Sequence, residues 1–376
     1  MAQRIKTDWV LFGAVIFLVA FGLVMVFSAS AVVAHQKYGS GTYYLARQLG
    51  WAFVSVLLMM YLKWKDYRLL RSPVWVFSLV SVVLALVIAT YFYDGRRIRI
   101  GSISIQPSEF AKPVLILFLA WFVTRRAPAI NHRNTLLPAA ILVGPLAGAV
   151  MYADLGTAIV LVIAAAVVFF VGGLERRFLI AGGILVGLGI LGAVFSKPYR
   201  IVRIFGLIDP EYKILRHFDR DGKLMAYMQR SAAHRDPDYH VRQSLIAVGS
   251  GGPLGLGPSH GKQKLYYLPE AHTDFIYAVV GEELGLWGSL LVLSAFLIIL
   301  WRGLRLYFLA PDDFGKYLAL GVTTVVVAQA FINMSVVLGM GPAKGIPLPM
   351  VSYGGSSLLS MLASLGILQS IGDHSG

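Results

Sequence analysis

One carboxylate stands where the chain could do chemistry. Asp274 falls between Thr273 and the apolar run Phe275-Ile276-Tyr277-Ala278-Val279-Val280, at a point where a charge without a partner is costly. Glu282 and Glu283 come later on the same run, roughly 12 Å away along a helix axis, too far to share a compact site with it. Asp274 is therefore a single candidate base and not half of a carboxyl pair about 5–10 Å apart of the kind that hydrolyses glycosides. One base suffices to take a proton from an attacking hydroxyl when the leaving group is a pyrophosphate, provided that cations stabilise the departing charge. The competing reading is a helix cap, which position alone favours.

Several groups could supply those cations or a polar rim. Arg96, Arg97 and Arg99 crowd a short segment and suit either a phosphate or lipid headgroups. Glu109 and Lys112 lie three apart in Gln106-Pro107-Ser108-Glu109-Phe110-Ala111-Lys112-Pro113, hence on one helical face, where they can pair. Ser108 could cap that helix, while Lys112 could equally serve as a phosphate partner. Asp154, in Ala153-Asp154-Leu155-Gly156-Thr157, reads as a cap for the helix that follows it. Lys344 sits in the proline-rich stretch Gly341-Pro342-Ala343-Lys344-Gly345-Ile346-Pro347-Leu348-Pro349, which cannot form regular helix. Beyond it, Ser352-Tyr353-Gly354-Gly355-Ser356-Ser357 offers amides and hydroxyls, either for a headgroup or to start a helix. The glycines from Gly249 to Gly257 admit an anion cradle, but turns call for such glycines more often. No His or carboxylate cluster has metal-ligand spacing, so no cofactor is implied and a divalent-cation requirement stays open.

The elements that must position these residues are membrane helices. Of the 376 residues, 57% are hydrophobic, and apolar runs recur near the length that crosses a bilayer. Spans are expected near 9–30, 45–62, 73–93, 109–124, 135–152, 155–173, 178–196, 274–301, 316–340 and 354–372, an all-α polytopic protein of about ten transmembrane helices. The first run is too long for the apolar core of a cleaved signal and is read as an uncleaved span. Lys63, Lys65, Arg68, Arg71, Arg125, Arg126, Arg133, Arg176, Arg177, Arg302, Arg305 and Lys316 fall in alternate loops, which puts both termini in the cytoplasm. A single domain over 1–376 then carries a large extracytoplasmic loop, 197–273, between the seventh and eighth spans. Within that loop Ile214, Leu215, Phe218, Leu224, Met225 and Met228 could line an interfacial helix. A net charge of +14 suits anionic lipids or a phosphorylated lipid, whereas the scattered basic residues argue against nucleic acid. With no cysteine, the compartment cannot be read from thiols.

These segments, in this order, resemble the SEDS family of shape, elongation, division and sporulation proteins. The resemblance runs through Gln106-Pro107-Ser108-Glu109 with Lys112, then Asp154-Leu155-Gly156-Thr157-Ala158, then Gln243-Ser244-Leu245-Ile246-Ala247 leading into Gly249. It continues in Tyr267-Leu268-Pro269-Glu270-Ala271-His272-Thr273-Asp274-Phe275-Ile276 and Glu282-Glu283-Leu284-Gly285, and ends in the Lys344 and Ser352-Tyr353 segments. Tyr152-Ala153, Ile98 and Pro258 depart from the family pattern.

The resemblance implies a ten-span glycosyltransferase of the bacterial cytoplasmic membrane. Its active site would face outward and join lipid II units into glycan strands, releasing undecaprenyl pyrophosphate. Asp274 matches the family's proposed catalytic aspartate. Glu109 with Lys112 match its functional pair, and Lys344 a lysine typical of the division (FtsW-like) branch more than of the elongation (RodA-like) one. Arg96, Arg97, Glu109, Lys112, Lys344, Ser352 and Tyr353 are the expected substrate-binding residues. Expected partners are lipid II and the lipid-linked glycan, a class B penicillin-binding protein transpeptidase, other divisome or elongasome membrane proteins, and membrane lipids. Two alternatives remain: a lipid II flippase, which needs charges at several depths, and a scaffold for the transpeptidase with no chemistry of its own.

Overall fold

The computed structural model describes residues 7–92, 97–101, 103–195, 239–265, 267–341 and 345–374. Its helices are α1 (Trp9–Tyr38), α2 (Tyr43–Trp64), α3 (Pro73–Phe92), α4 (Pro107–Arg126), α5 (Arg133–Ala153), α6 (Leu155–Val171), α7 (Arg176–Phe195), α8 (Tyr239–Gly251), α9 (Ile276–Leu309), α10 (Asp313–Val337) and α11 (Gly355–Asp373). A two-stranded antiparallel hairpin, β1 (Ile98–Ile100) and β2 (Ile103–Ile105), precedes α4 and pairs Ile98 with Ile105. Among the described residues, eight helices are long and apolar enough to cross a membrane. The segments expected as the fifth and sixth spans are the helices α5, of 21 residues, and α6, of 17. Of the large loop, the part holding the amphipathic stretch from Ile214 to Met228 lies outside the described residues, while its later part contains α8.

Helices α4 and α10 form the centre. They pack on each other, α4 also against α3, α6 and α11, and α10 against α6 and α9. By contrast α7 leaves Ile180, Ile184, Leu185, Leu188 and Leu191 exposed, the apolar outer surface expected where a helix meets lipid. Lipid removes the hydrophobic drive between helices, so close backbone approach and hydrogen bonds must hold them together. α11 meets α2 through glycines: a Cβ on Gly355 would collide with the Trp51 ring. A Cβ on Gly366 would stand 2.6 Å from the Met59 carbonyl oxygen.

α9 was expected as one continuous span, but it breaks at Gly285, which takes φ 64° and ψ −156°. Only glycine adopts such a conformation without strain. The backbone groups that the break frees are taken up by the glycine-rich segment. Leu256 N–H donates to the Glu282 carbonyl and Gly257 N–H to that of Glu283, both at 3.0 Å, while Leu286 N–H donates to the Gly252 carbonyl at 3.0 Å. Gly252, Gly255 and Gly257 all have positive φ. These glycines make turns, and the Leu256 and Gly257 amides are spent on α9 rather than offered to an anion.

At the end of α9 remote from Asp274, Arg302 Nε donates to both carboxylate oxygens of Asp8, at 3.0 and 2.7 Å. Asp8 also caps α1 by accepting from Leu11 N–H. The α11–α2 contact gives a direct test of the packing. Gly366→Ala should destabilise the protein by about 1–3 kcal/mol, because backbone must move to admit the methyl group. Gly50→Ala, where nothing lies within 4 Å, should leave the thermal unfolding temperature in detergent unchanged or slightly raised. Equal unfolding temperatures for the two variants would refute the contact.

Candidate active site

Asp274 is positioned through the backbone on both sides of it. The N-cap of α9 is Phe275, whose side chain makes no capping bond. Asp274 thus stands one residue before the N-cap position. Asn333 on α10 uses its two-hydrogen amide nitrogen to donate to the Asp274 carbonyl and to the Ile346 carbonyl, both at 2.7 Å. Ser352 Oγ donates to the Thr273 carbonyl and accepts from Leu348 N–H at 2.8 Å. Tyr353 N–H donates to the His272 carbonyl at 2.9 Å. From α2, Gln48 donates through Nε2 to the Ser352 carbonyl and accepts at Oε1 from Gly354 N–H. The segments 272–274 and 345–353 are thereby fastened side by side. A Cβ on Gly345 would collide with Asp274 Oδ2, so only glycine lets this backbone pass so close to the carboxylate.

Glu109 and Lys112 form the expected ion pair, at 2.7 Å, with 2% and 1% of their side chains exposed. Lys112 Nζ makes a second bond to Gln329 Oε1 at 2.7 Å, and Gln329 Nε2 donates to the Pro347 carbonyl at 2.8 Å. Gln329 lies one turn before Asn333 on α10, so neighbouring side chains of one helix face grip consecutive carbonyls of the segment that runs past Asp274. The buried pair reaches the Asp274 region through this chain.

Ser108 is not the cap of α4. Gln106 occupies the N-cap without a side-chain bond and Pro107 takes the first turn, where its missing N–H costs nothing. Instead Ser108 Oγ accepts from Gln106 Nε2 at 3.1 Å, and Gln106 N–H donates to Ser356 Oγ at 3.0 Å. Asp154 does cap its helix, α6, accepting from the Gly156 and Thr157 amides, and it also accepts from Gln106 Nε2 at 3.1 Å. Arg96 and Lys344 lie outside the described residues. Arg97 is exposed, Ser352 is buried, and Tyr353 is half-buried.

Around Asp274 the electrostatics are set by burial and by arginine. Burial pushes the His272 imidazole below its ordinary range, against the opposing field of Glu270. Burial raises the Tyr353 hydroxyl, and the positive fields of Arg47 and Arg97 partly offset that rise. Both arginines therefore act on the Tyr353 side of the site.

A second charged cluster went unread in the sequence. Lys264 Nζ pairs with Glu283 Oε1, with 5% and 1% of the side chains exposed, and Ser28 Oγ on α1 bonds both Glu283 oxygens at 2.7 Å. Beside it, Glu282 Oε1 accepts from the Lys262 and Gln263 amides at 2.7 and 3.0 Å. Gln329 and Asn333 were also missed, although two amides four residues apart in an apolar run were a readable signal.

Comparison with known proteins agrees over nearly the whole chain. The family model for FtsW, RodA and SpoVE, described as "Cell cycle protein", matches residues 8–376. A chain of Geobacter sp. (strain M18) named "Probable peptidoglycan glycosyltransferase FtsW" is 34% identical over 372 residues, covering 97% of this chain and 96% of that one. Stage V sporulation protein E of Bacillus subtilis (strain 168) is 35% identical over 384 residues, 99% of each. Among solved structures, a chain from a peptidoglycan synthase complex that coordinates polymerization and crosslinking superposes with a TM-score of 0.74 at 27% identity, covering 98% of both chains. RodA of Thermus thermophilus gives 0.67 at 25% identity, covering 98% of this chain and 97% of that one.

The buried ion pair at Lys264 yields a prediction. Lys264→Met strands the Glu283 carboxylate in an apolar site and should cost about 3–5 kcal/mol of stability, whereas Lys264→Met combined with Glu283→Leu should recover most of it. Thermal unfolding in detergent measures both. A single variant as stable as wild type would show that Lys264 does not neutralise Glu283.

Proposed function

The chain belongs to the FtsW, RodA and SpoVE family of cell cycle proteins, and on that premise we propose that it polymerises lipid II into glycan strands with Asp274 as general base. It is a multi-pass membrane protein and a peptidoglycan glycosyltransferase of cell-wall synthesis. The observation that carries the mechanistic reading is the mounting of Asp274: a half-buried carboxylate outside the helix cap, with its own carbonyl and that of Thr273 both anchored by side chains. A group fixed in this way can meet a hydroxyl at a set distance, which is what base catalysis requires.

In the proposed step Asp274 takes the proton of an acceptor sugar hydroxyl as that oxygen forms a bond to the anomeric carbon of the lipid-linked donor. The bond from that carbon to the pyrophosphate oxygen breaks, and the electron pair leaves with undecaprenyl pyrophosphate. Arg97, with Arg96 and Lys344, stabilises the departing charge. Lys112 has a different part in this reading. Its ammonium is held by Glu109 and Gln329, so it positions the 345–348 segment instead of meeting phosphate. The step draws on no redox or group-carrying cofactor, since the pyrophosphate is itself the leaving group.

The active site faces the extracytoplasmic side and both termini the cytoplasm, as the alternation of basic loops supports. A class B penicillin-binding protein is the proposed crosslinking partner, in line with the solved complex that polymerises and crosslinks. Lys344 favours the division branch. Purified protein, with and without that partner, should convert lipid II to a ladder of glycans on a gel. Asp274→Asn should lower the rate by about 10²–10⁴-fold while leaving the thermal unfolding temperature unchanged. Polymer from the variant at the wild-type rate would remove Asp274 from the chemistry, and lipid movement across vesicles without polymer would favour a flippase.

A further inference from the structure

Five aromatic rings gather on the Asp274 side of the molecule, and the polymerase reading has no use for most of them. Tyr44 lies with its centroid 4.6 Å from that of His272 and 5.1 Å from that of Tyr353, the latter edge to face, and His272 and Tyr353 are 5.7 Å apart. Tyr38 and Tyr43 stack at 3.8 Å and both meet the Tyr44 ring edge-on. Tyr44, His272 and Tyr353 are half-buried, so the group is neither sealed in the core nor splayed into solvent.

Its place in the fold separates it from the tyrosines that line a membrane interface. Interfacial tyrosines stand on helices facing lipid. Here His272 and Tyr353 belong to the two non-helical segments fastened together beside Asp274. His272 precedes Asp274 by two residues, which limits their Cα atoms to a separation of about 7 Å. Rings with a wide apolar body and a polar tip match a pyranose, which presents a face of C–H bonds and a rim of hydroxyls. Charge is arranged to suit a sugar with an anionic substituent. Arg47 lies 5.6 Å over the Tyr43 ring and donates to its hydroxyl at 2.8 Å, and the fields of Arg47 and Arg97 both reach Tyr353. Burial disfavours the charged form of the His272 imidazole at the centre of the group.

We propose that Tyr44, His272 and Tyr353 form a stacking platform for one saccharide ring of the lipid-linked substrate, immediately beside Asp274. The platform rests on the glycosyl-transfer reading and adds to it a site for the sugar itself, distinct from the cations that meet pyrophosphate. It orients the ring whose hydroxyl or anomeric carbon faces Asp274, and Arg47 joins Arg97 in meeting the anionic substituent.

The test compares two lipids that differ in the sugar. Dissociation constants for lipid II and for undecaprenyl pyrophosphate are measured in detergent with wild type, Tyr44→Leu, Tyr353→Leu and Tyr353→Phe, each checked for an unchanged unfolding temperature. The leucine variants should lose about tenfold in affinity for lipid II while holding undecaprenyl pyrophosphate within about twofold, and Tyr353→Phe should restore the lipid II affinity. Equal losses on both lipids, or no loss on lipid II, would overturn the platform. If one leucine variant does not fold, the other decides the matter. The glycan gel reports separately on polymerisation: a wild type that makes no polymer but shows the sugar-dependent affinity would sink the polymerase reading and keep the platform.

Discussion

The amide group of Asn333 bonds to the carbonyls of both Asp274 and Ile346, and much of the site depends on those two hydrogen bonds. Neither segment that meets at Asp274 is helical, so local turns satisfy only part of its backbone, and an unpaired carbonyl at membrane depth costs several kcal/mol. Non-helical chain is tolerated there only where protein supplies the missing partners. Asn333 and Ser352, with Gln48 and Gln329 behind them, are those partners. They hold the chain in a shape that leaves the Asp274 carboxylate half-buried, one residue before the N-cap of α9.

This arrangement accounts for the polar side chains buried in the two central helices. α4 brings Lys112 and α10 brings Gln329, and the link from Glu109 through both to the Pro347 carbonyl is continuous. Each member would be costly alone: a buried ammonium, a buried carboxylate, an amide in an apolar run. Joined, they are mutually satisfied, and the network has one arrangement rather than several. The Lys264–Glu283–Ser28 cluster does the same work elsewhere, fastening the segment that follows the glycine-rich stretch to α9 and α1.

What could be read in the sequence follows from the range of each interaction. Asp154 as a cap and Glu109 with Lys112 as a pair are contacts within one helical turn, so spacing reveals them. Apolar length likewise revealed the helices, α5 and α6 included. Gly285 was invisible as a break because its neighbours on both sides are helical and apolar. The carbonyls of Glu282 and Glu283, claimed by amides 26 residues earlier, disclose it. Ser28 and Glu283 are separated by 255 positions, beyond any local pattern. Phe275 and not Asp274 takes the N-cap position of α9, and the tertiary bonds to Asn333 and Ser352 hold the chain just before it.

The aromatic group follows from the same constraint. Once 272–274 and 345–353 are fastened side by side, His272 and Tyr353 must lie close together whatever their chemistry, and the N-terminal turn of α2 brings Tyr44 against both. The Gln48 contacts with Ser352 and Gly354 fix α2 at that height. The four-residue step from Tyr44 to Gln48 puts ring and amide on the same helix face. The side chain that ties α2 to the loop therefore also sets the position of the ring, so the bonds that place the carboxylate place the aromatic surface next to it.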